Sequence, residues 1–148
     1  MTTRIPLPLM LLMSLAACTM ATTVVPEELA LPTELSSTSV LARAPMVDTA
    51  RVAGVSGYVA VVGVLNQTAP CFGLGSAATR LGPRVVVRLT AQQVAGTCAT
   101  FAAGAFDYDV GVKGLATGVY DVDVFHRVVF NDGRVDEAKV GSRRVEVR

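Results

Sequence analysis

The segment from Phe106 to Lys113 reads Phe-Asp-Tyr-Asp-Val-Gly-Val-Lys, and its order of residues indicates the fold class. Phe106, Tyr108, Val110 and Val112 share one phase of a two-residue repeat, and the alternate positions are Asp, Asp, Gly and Lys. In a β-strand, successive side chains point to opposite faces of the sheet. The segment therefore predicts a strand with one buried and one solvent-exposed face.

The same alternation returns from Tyr120 to Phe130, where valines and His126 share the apolar phase. The Asn-Asp-Gly sequence at 131–133 is a strong hairpin signal, because its residues readily adopt the backbone angles of tight turns. A last strand is expected near Arg144 to Arg148, with its two valines facing inward.

Further valine-rich segments with turn residues between them precede these strands. The predicted strands are Ala50–Ser56, Tyr58–Leu65, Phe72–Leu81 and Arg84–Ala91. No segment shows a convincing helical period. About seven short strands separated by frequent turns predict an all-β fold, an antiparallel β-sandwich over residues 39–148.

The segment from Gly114 to Val124 resembles a passage found in bacterial immunoglobulin-like and transthyretin-like sandwiches. Its order is leucine, turn, glycine, tyrosine and alternating valines. The resemblance implies an immunoglobulin-like sandwich in which Tyr120 begins a core strand and helps to fix the preceding turn. Ala116 and Thr117 stand where such turns usually carry proline.

The amino terminus has the organisation of an export signal. Arg4 precedes an uncharged, mostly apolar run from Ile5 to Leu15. The run has the length of a secretory signal and is shorter than the roughly 20 residues that a membrane-spanning helix needs.

The sequence Leu15-Ala16-Ala17-Cys18 resembles the lipobox of bacterial lipoproteins. The resemblance implies that residues 1–17 are a cleaved signal peptide, that Cys18 carries diacylglycerol, and that the new amino terminus is acylated. Two or three acyl chains anchor a protein stably, whereas one binds marginally. Thr19, rather than aspartate, follows the cysteine, which suggests the outer membrane in a Gram-negative host. The alternative is an ordinary signal peptide with a cysteine near its cleavage site.

Residues 18–38 are rich in Thr, Ser, Pro and Glu, a composition that buries little apolar surface. They are expected to form a flexible tether. After lipidation of Cys18, Cys71 and Cys98 remain, and an even pair in an exported protein predicts a disulfide. A metal or catalytic thiol is the alternative, although the chain has one histidine and no Cys-x-x-Cys motif.

The charges argue against a nucleic-acid partner. The chain carries 13 basic and 12 acidic side chains, a net charge of +1. Proteins that bind nucleic acid usually show a basic patch and a high isoelectric point. The expected partners are the membrane, through the lipid anchor, and an envelope protein or peptide.

Four aspartates and one histidine are candidates for chemistry. Asp107, Asp109, Asp121 and Asp123 would share an outward face and recruit Ca²⁺ if their strands lay side by side, although calcium wants six to eight oxygens, usually supplied by loops. His126 is the one candidate general base, but its apolar phase favours a core histidine, and no nucleophile motif accompanies it. No catalytic residues, resident metal or cofactor are expected.

The sequence therefore favours a non-enzymatic, membrane-anchored sandwich that binds a partner or serves structurally. Exposed strand edges would accept an extended peptide by strand addition. The alternative is an envelope enzyme inhibitor or assembly factor that acts through the loop from Gln92 to Ala105. A third hypothesis is a hydrolase that uses His126.

Overall fold

A computed structural model describes residues 27–41, 44–67, 71–94 and 103–148. These residues contain nine β-strands and no helix, and 74% of them are in strands. The strands are β1 (Leu29–Leu31), β2 (Thr33–Leu41), β3 (Thr49–Val55), β4 (Tyr58–Leu65), β5 (Phe72–Leu81), β6 (Arg84–Gln93), β7 (Gly104–Val112), β8 (Gly118–Val129) and β9 (Val135–Val147). Within these ranges no helix is long and apolar enough to cross a bilayer.

The strands form two packed sheets, which confirms the predicted β-sandwich. One sheet has the order β1-β5-β6-β8-β9 and the other the order β2-β7-β4-β3. Each pair of neighbours is antiparallel except β6 and β8, which run parallel. The parallel pair and the count of nine strands depart from the expected antiparallel arrangement of about seven.

Alternating valines build the core between the sheets. The inward phases of β4, β6, β7 and β8 are almost fully buried because each sheet covers one face of the other. The largest fully buried side chains are Leu65, Leu89, Val59, Val61, Val85, Val87, Val110, Val112, Val122, Val124 and Val147. A β-branched side chain suits this pleated, half-buried surface.

The tether predicted for residues 18–38 is wrong over its second half. Residues 29–31 form β1 against β5, and the chain from Thr33 onward forms β2 against β7. Pro32, which has no N–H to donate, lies where the chain passes from one sheet to the other. Ser36 and Thr38 form part of a strand here because the neighbouring β7 supplies their backbone hydrogen bonds. Residues 18–26 lie outside the described residues.

The two sheets approach each other closely along β3 and β9. The Gly57 amide donates to the Arg148 carbonyl at 2.9 Å, and Arg143 Nη1 donates to the Val52 carbonyl at 3.1 Å. These bonds tie the edge of one sheet to the edge of the other. At the opposite side, β2 ends the four-stranded sheet.

Candidate functional site

The four aspartates proposed as a calcium site do not share a face. Asp107 and Asp109 lie on β7, whereas Asp121 and Asp123 lie on β8 in the other sheet. The side-by-side arrangement that the calcium hypothesis needed is therefore wrong. The described ranges contain no group of three or more His, Cys, Asp or Glu side chains that would hold a metal ion.

Asp123 is instead held by cations and a hydroxyl. Arg84 donates to Oδ2 through Nε at 3.0 Å and Nη2 at 2.8 Å, while Lys139 Nζ and Ser142 Oγ donate to Oδ1 at 2.9 and 2.7 Å. These donors leave the residue 8% exposed. The Lys139 and Ser142 hydrogen bonds lower the pKa of Asp123 to about 2, against the opposing effect of burial and with help from Arg84. The cluster therefore joins β6, β8 and β9 through a carboxylate that is ionised at neutral pH.

His126 is buried, as its apolar phase predicts, with 2% of its surface exposed. Its Nε2 lies 2.9 Å from the Tyr108 hydroxyl, which also lies 3.3 Å from the Thr49 carbonyl. On its other side, Nδ1 lies 3.3 Å from Oδ2 of Asp48, although the angle there is outside hydrogen-bond geometry. A polar chain thus runs from β7 through the core to the loop before β3.

Asp48 is the solvent-facing end of this chain, with 37% of its side chain exposed. Burial acts to raise its pKa, but the His126 interaction and the hydrogen bond from the Asn66 amide outweigh burial, so the pKa lies below its ordinary value. The Asn66 amide donates to Oδ1 at 2.6 Å, and the Met46 amide donates to Oδ1 of Asn66 at 3.1 Å. These bonds fix the loop over the end of β4.

Tyr108 stays a neutral phenol, because burial and then the Asp48 carboxylate raise its pKa. Gly63, directly opposite on β4, makes room for the ring: a Cβ there would collide with the Tyr108 hydroxyl and the Thr49 carbonyl. The order Asp-His-hydroxyl is that of a proton relay, yet Tyr108 is 4% exposed. General catalysis needs a substrate within hydrogen-bond reach of the base. The geometry suits a bridge between the two sheets.

The edge strand β2 offers a different arrangement, in which backbone groups face outward. The Lys113 amide donates to the Pro32 carbonyl at 2.9 Å, so the Pro32–Lys113 pair is hydrogen-bonded. In an antiparallel ladder, hydrogen-bonded and non-hydrogen-bonded pairs alternate. Ser36 and Thr38 therefore bond to β7, and the N–H and C=O groups of Leu35 and Ser37 point away from it. In the described part of the chain, nothing pairs with those outward groups.

The outer face beside β2 is acidic. Asp109 lies across from Ser36, and Asp107 lies across from Thr38, both exposed and without an ion pair among the described residues. Further along, Lys113 Nζ lies 3.2 Å from Glu34 and 5.1 Å from the centre of the Tyr58 ring. These side chains surround a shallow groove of about 330 Å³ that reaches Asp109.

Sequence reasoning missed Asp48 and the edge character of β2. Asp48 lies in a loop far along the chain from His126, so no local spacing of residues predicts their contact. The polar run from Thr33 to Thr38 has the composition of a flexible segment, so its sequence predicts a tether rather than a strand.

Several predicted residues fall outside the described residues, namely the lipobox with Cys18, Cys98, and residues 95–102 of the predicted loop. Cys71 directly precedes β5 and is 9% exposed, and its carbonyl accepts a hydrogen bond from the Val94 amide at 2.9 Å. Lipidation of Cys18 and the Cys71–Cys98 disulfide stay predictions.

Comparisons with protein-family models, with curated proteins and with solved structures returned no match to this chain.

Proposed function

We propose that this protein is a non-enzymatic lipoprotein of the bacterial envelope, whose sandwich binds an extended segment of a partner by adding it as a strand beside β2. The observation that carries the proposal is the outward direction of the Leu35 and Ser37 backbone groups. In strand addition, main-chain hydrogen bonds supply affinity and alternate side chains supply specificity.

The composition of β2 supports this function. Natural proteins usually protect an exposed edge with lysine, proline, a bulge or a covering loop. Across nine residues, β2 has no Lys, Arg or Pro, and its one charged residue is Glu34. The other edge of the same sheet, β3, is tied to β9. β2 is therefore the edge of the four-stranded sheet that is available for pairing.

The location follows from the export signal and the lipobox. Acyl chains on Cys18 would hold the sandwich at a membrane, with the outer membrane favoured by Thr19. An exported domain also fits a Cys71–Cys98 disulfide, whose presence thiol counting with and without reductant would test.

The test blocks the outward edge without breaking the sheet. Ser37→Pro removes an N–H that β7 does not use, and proline is tolerated at an edge where the N–H faces solvent. Ser37→Ala is the matched control, because it removes the hydroxyl and keeps the N–H. Full-length proteins carrying either change would be crosslinked in intact envelopes, and each partner adduct would be quantified.

We expect the yield of the main adduct to fall at least tenfold in Ser37→Pro and to be unchanged in Ser37→Ala. Ser37→Lys provides a second variant, since an inward-pointing charge on an edge strand also opposes pairing. Thermal melting of each variant establishes that it is folded. Equal adduct yields from wild type and both folded edge variants would overturn strand addition at β2.

A further inference from the structure

We infer that the strand added beside β2 is basic on its outer face and apolar on its inner face. This inference rests on the proposed function and specifies the partner's chemistry. Its basis is the row of carboxylates that the sheet places next to the open edge.

An added strand would continue both faces of the four-stranded sheet. Neighbouring strands lie about 4.8 Å apart, and their side chains alternate between the faces. Its outward side chains would therefore lie next to Glu34, Ser36 and Thr38, and one strand further from Asp109 and Asp107. Ser36 and Thr38 are short, so a long side chain can pass over them.

The length and charge of lysine and arginine fit this geometry. Such a side chain can lay its apolar stem along the sheet and bring its charged end to a carboxylate. Asp107 and Asp109 are exposed and have no ion pair within the described ranges. Lys113 is the nearest cation in the groove, and it is already 3.2 Å from Glu34.

On its inner face, the added strand is expected to carry apolar side chains. Leu35 is half-buried against the core, and Leu41 is 69% exposed in the same phase of β2. On the facing sheet, Leu74 is also only partly buried. Apolar residues on an added strand would cover this open side of the sandwich, because they would point in the same direction as Leu35 and Leu41.

A second copy of this chain fits the edge less well. Pairing β2 with β2 of another copy, antiparallel about Ser37, would put Thr38 opposite Ser36 of that copy. The Asp107 and Asp109 rows of the two molecules would then lie on either side of one continuous face. β2 of another copy has no lysine or arginine, so it would bring no cation to these carboxylates, whereas a basic strand would.

The probe is a labelled nine-residue peptide that alternates lysine and valine, compared with one that alternates glutamate and valine. Binding to the full-length protein would be measured by fluorescence anisotropy in uncharged detergent micelles. The lysine peptide is expected to bind at least tenfold more tightly than the glutamate peptide. In Asp107→Asn/Asp109→Asn its affinity should fall about fivefold, the scale of two exposed ion pairs.

Asp121→Asn/Asp136→Asn is the matched control, because it removes two exposed carboxylates from the other sheet and should leave affinity unchanged. Equal binding of both peptides, lost in Ser37→Pro, would overturn the basic partner and leave strand addition standing. Binding that Ser37→Pro does not affect would contradict the proposed function itself. A dimer in light scattering that Ser37→Pro dissociates would identify a second copy as the occupant and overturn this inference.

Discussion

Asp123 and His126 lie on the same strand, three residues apart, and each is buried among partners that local sequence does not reveal. His126 could be assigned to the core from sequence because it follows the valine phase of β8. Asp123 follows the polar phase, which predicted an exposed carboxylate, yet it is 8% exposed because Arg84, Lys139 and Ser142 close over it. The phase of the two-residue repeat predicts the face of the sheet on which a side chain lies. The burial of a polar side chain depends in addition on neighbours from other strands.

Replacing Asp123 by Asn should lower the free energy of unfolding at pH 7, because Arg84 and Lys139 lose their charged partner. The expected loss is ~1–2 kcal/mol, since both ion pairs are partly solvated. The pKa of about 2 in the folded protein lies below the ordinary aspartate value of 3.8. The carboxylate therefore stabilises the fold above pH 4, and this contribution is lost as the pH falls towards 2. Urea unfolding of both proteins at pH 7 and pH 2 measures it. An equal difference at both values would contradict the assignment.

Tyr108→Phe should destabilise the fold by ~1–3 kcal/mol, because Nε2 of His126 would be left buried without its partner. Tyr58→Phe is the matched control, since the Tyr58 hydroxyl makes no hydrogen bond within the described residues. Urea unfolding of the two variants at pH 7 compares them. Equal stability of both variants and the wild type would show that the polar chain through the core contributes nothing.

At the scale of strands, the sequence predicted β4 and β5 with their observed bounds, and it found β3, β6, β7 and β8 within a few residues. These strands could be predicted because a two-residue repeat is visible directly in the order of residues. The start of β9 was missed because Val135 to Lys139 is exposed on both phases. β2 was missed because its pairing depends on β7, which lies far along the chain. The parallel contact of β6 with β8 has no local signature either.

The approach of β3 to β9 leaves no room for a side chain at Gly54, where a Cβ would collide with the Glu146 carbonyl. Gly54→Ala is therefore expected to destabilise the fold by ~1–3 kcal/mol. Gly73→Ala is the control, because the space around Gly73 is open. Thermal melting would show a large fall in Tm for the first and little change for the second. Similar Tm values would mean that the two sheets are not closed along these strands.

For the whole molecule, we propose that a lipid anchor on Cys18 and the β2 edge of the sandwich act together. The sandwich was predictable because the alternation of valines and turns specifies two-layer packing. The open edge was not, since it depends on which strand ends a sheet, and that is settled by long-range pairing. The proposed anchor rests on the export signal and the lipobox.

Cys18→Ser should abolish lipidation, so the precursor should keep its signal peptide and carry no diacylglycerol. Thr19→Asp is the companion variant, which should keep its lipid and move from the outer to the inner membrane in a Gram-negative host. Mass measurement of the purified chain and fractionation of the two membranes report these outcomes. An unmodified Cys18 in the wild-type protein would refute the anchor and leave the sandwich unaffected.

Amide hydrogen exchange along β2, followed by NMR with and without the partner recovered by crosslinking, tests strand addition most directly. In the isolated full-length protein, the amides of Leu35 and Ser37 should exchange fast and those of Ser36 and Thr38 slowly. With the partner bound, all four should exchange slowly. Protection of Leu35 and Ser37 in the isolated protein, or their continued fast exchange in the complex, would contradict the account.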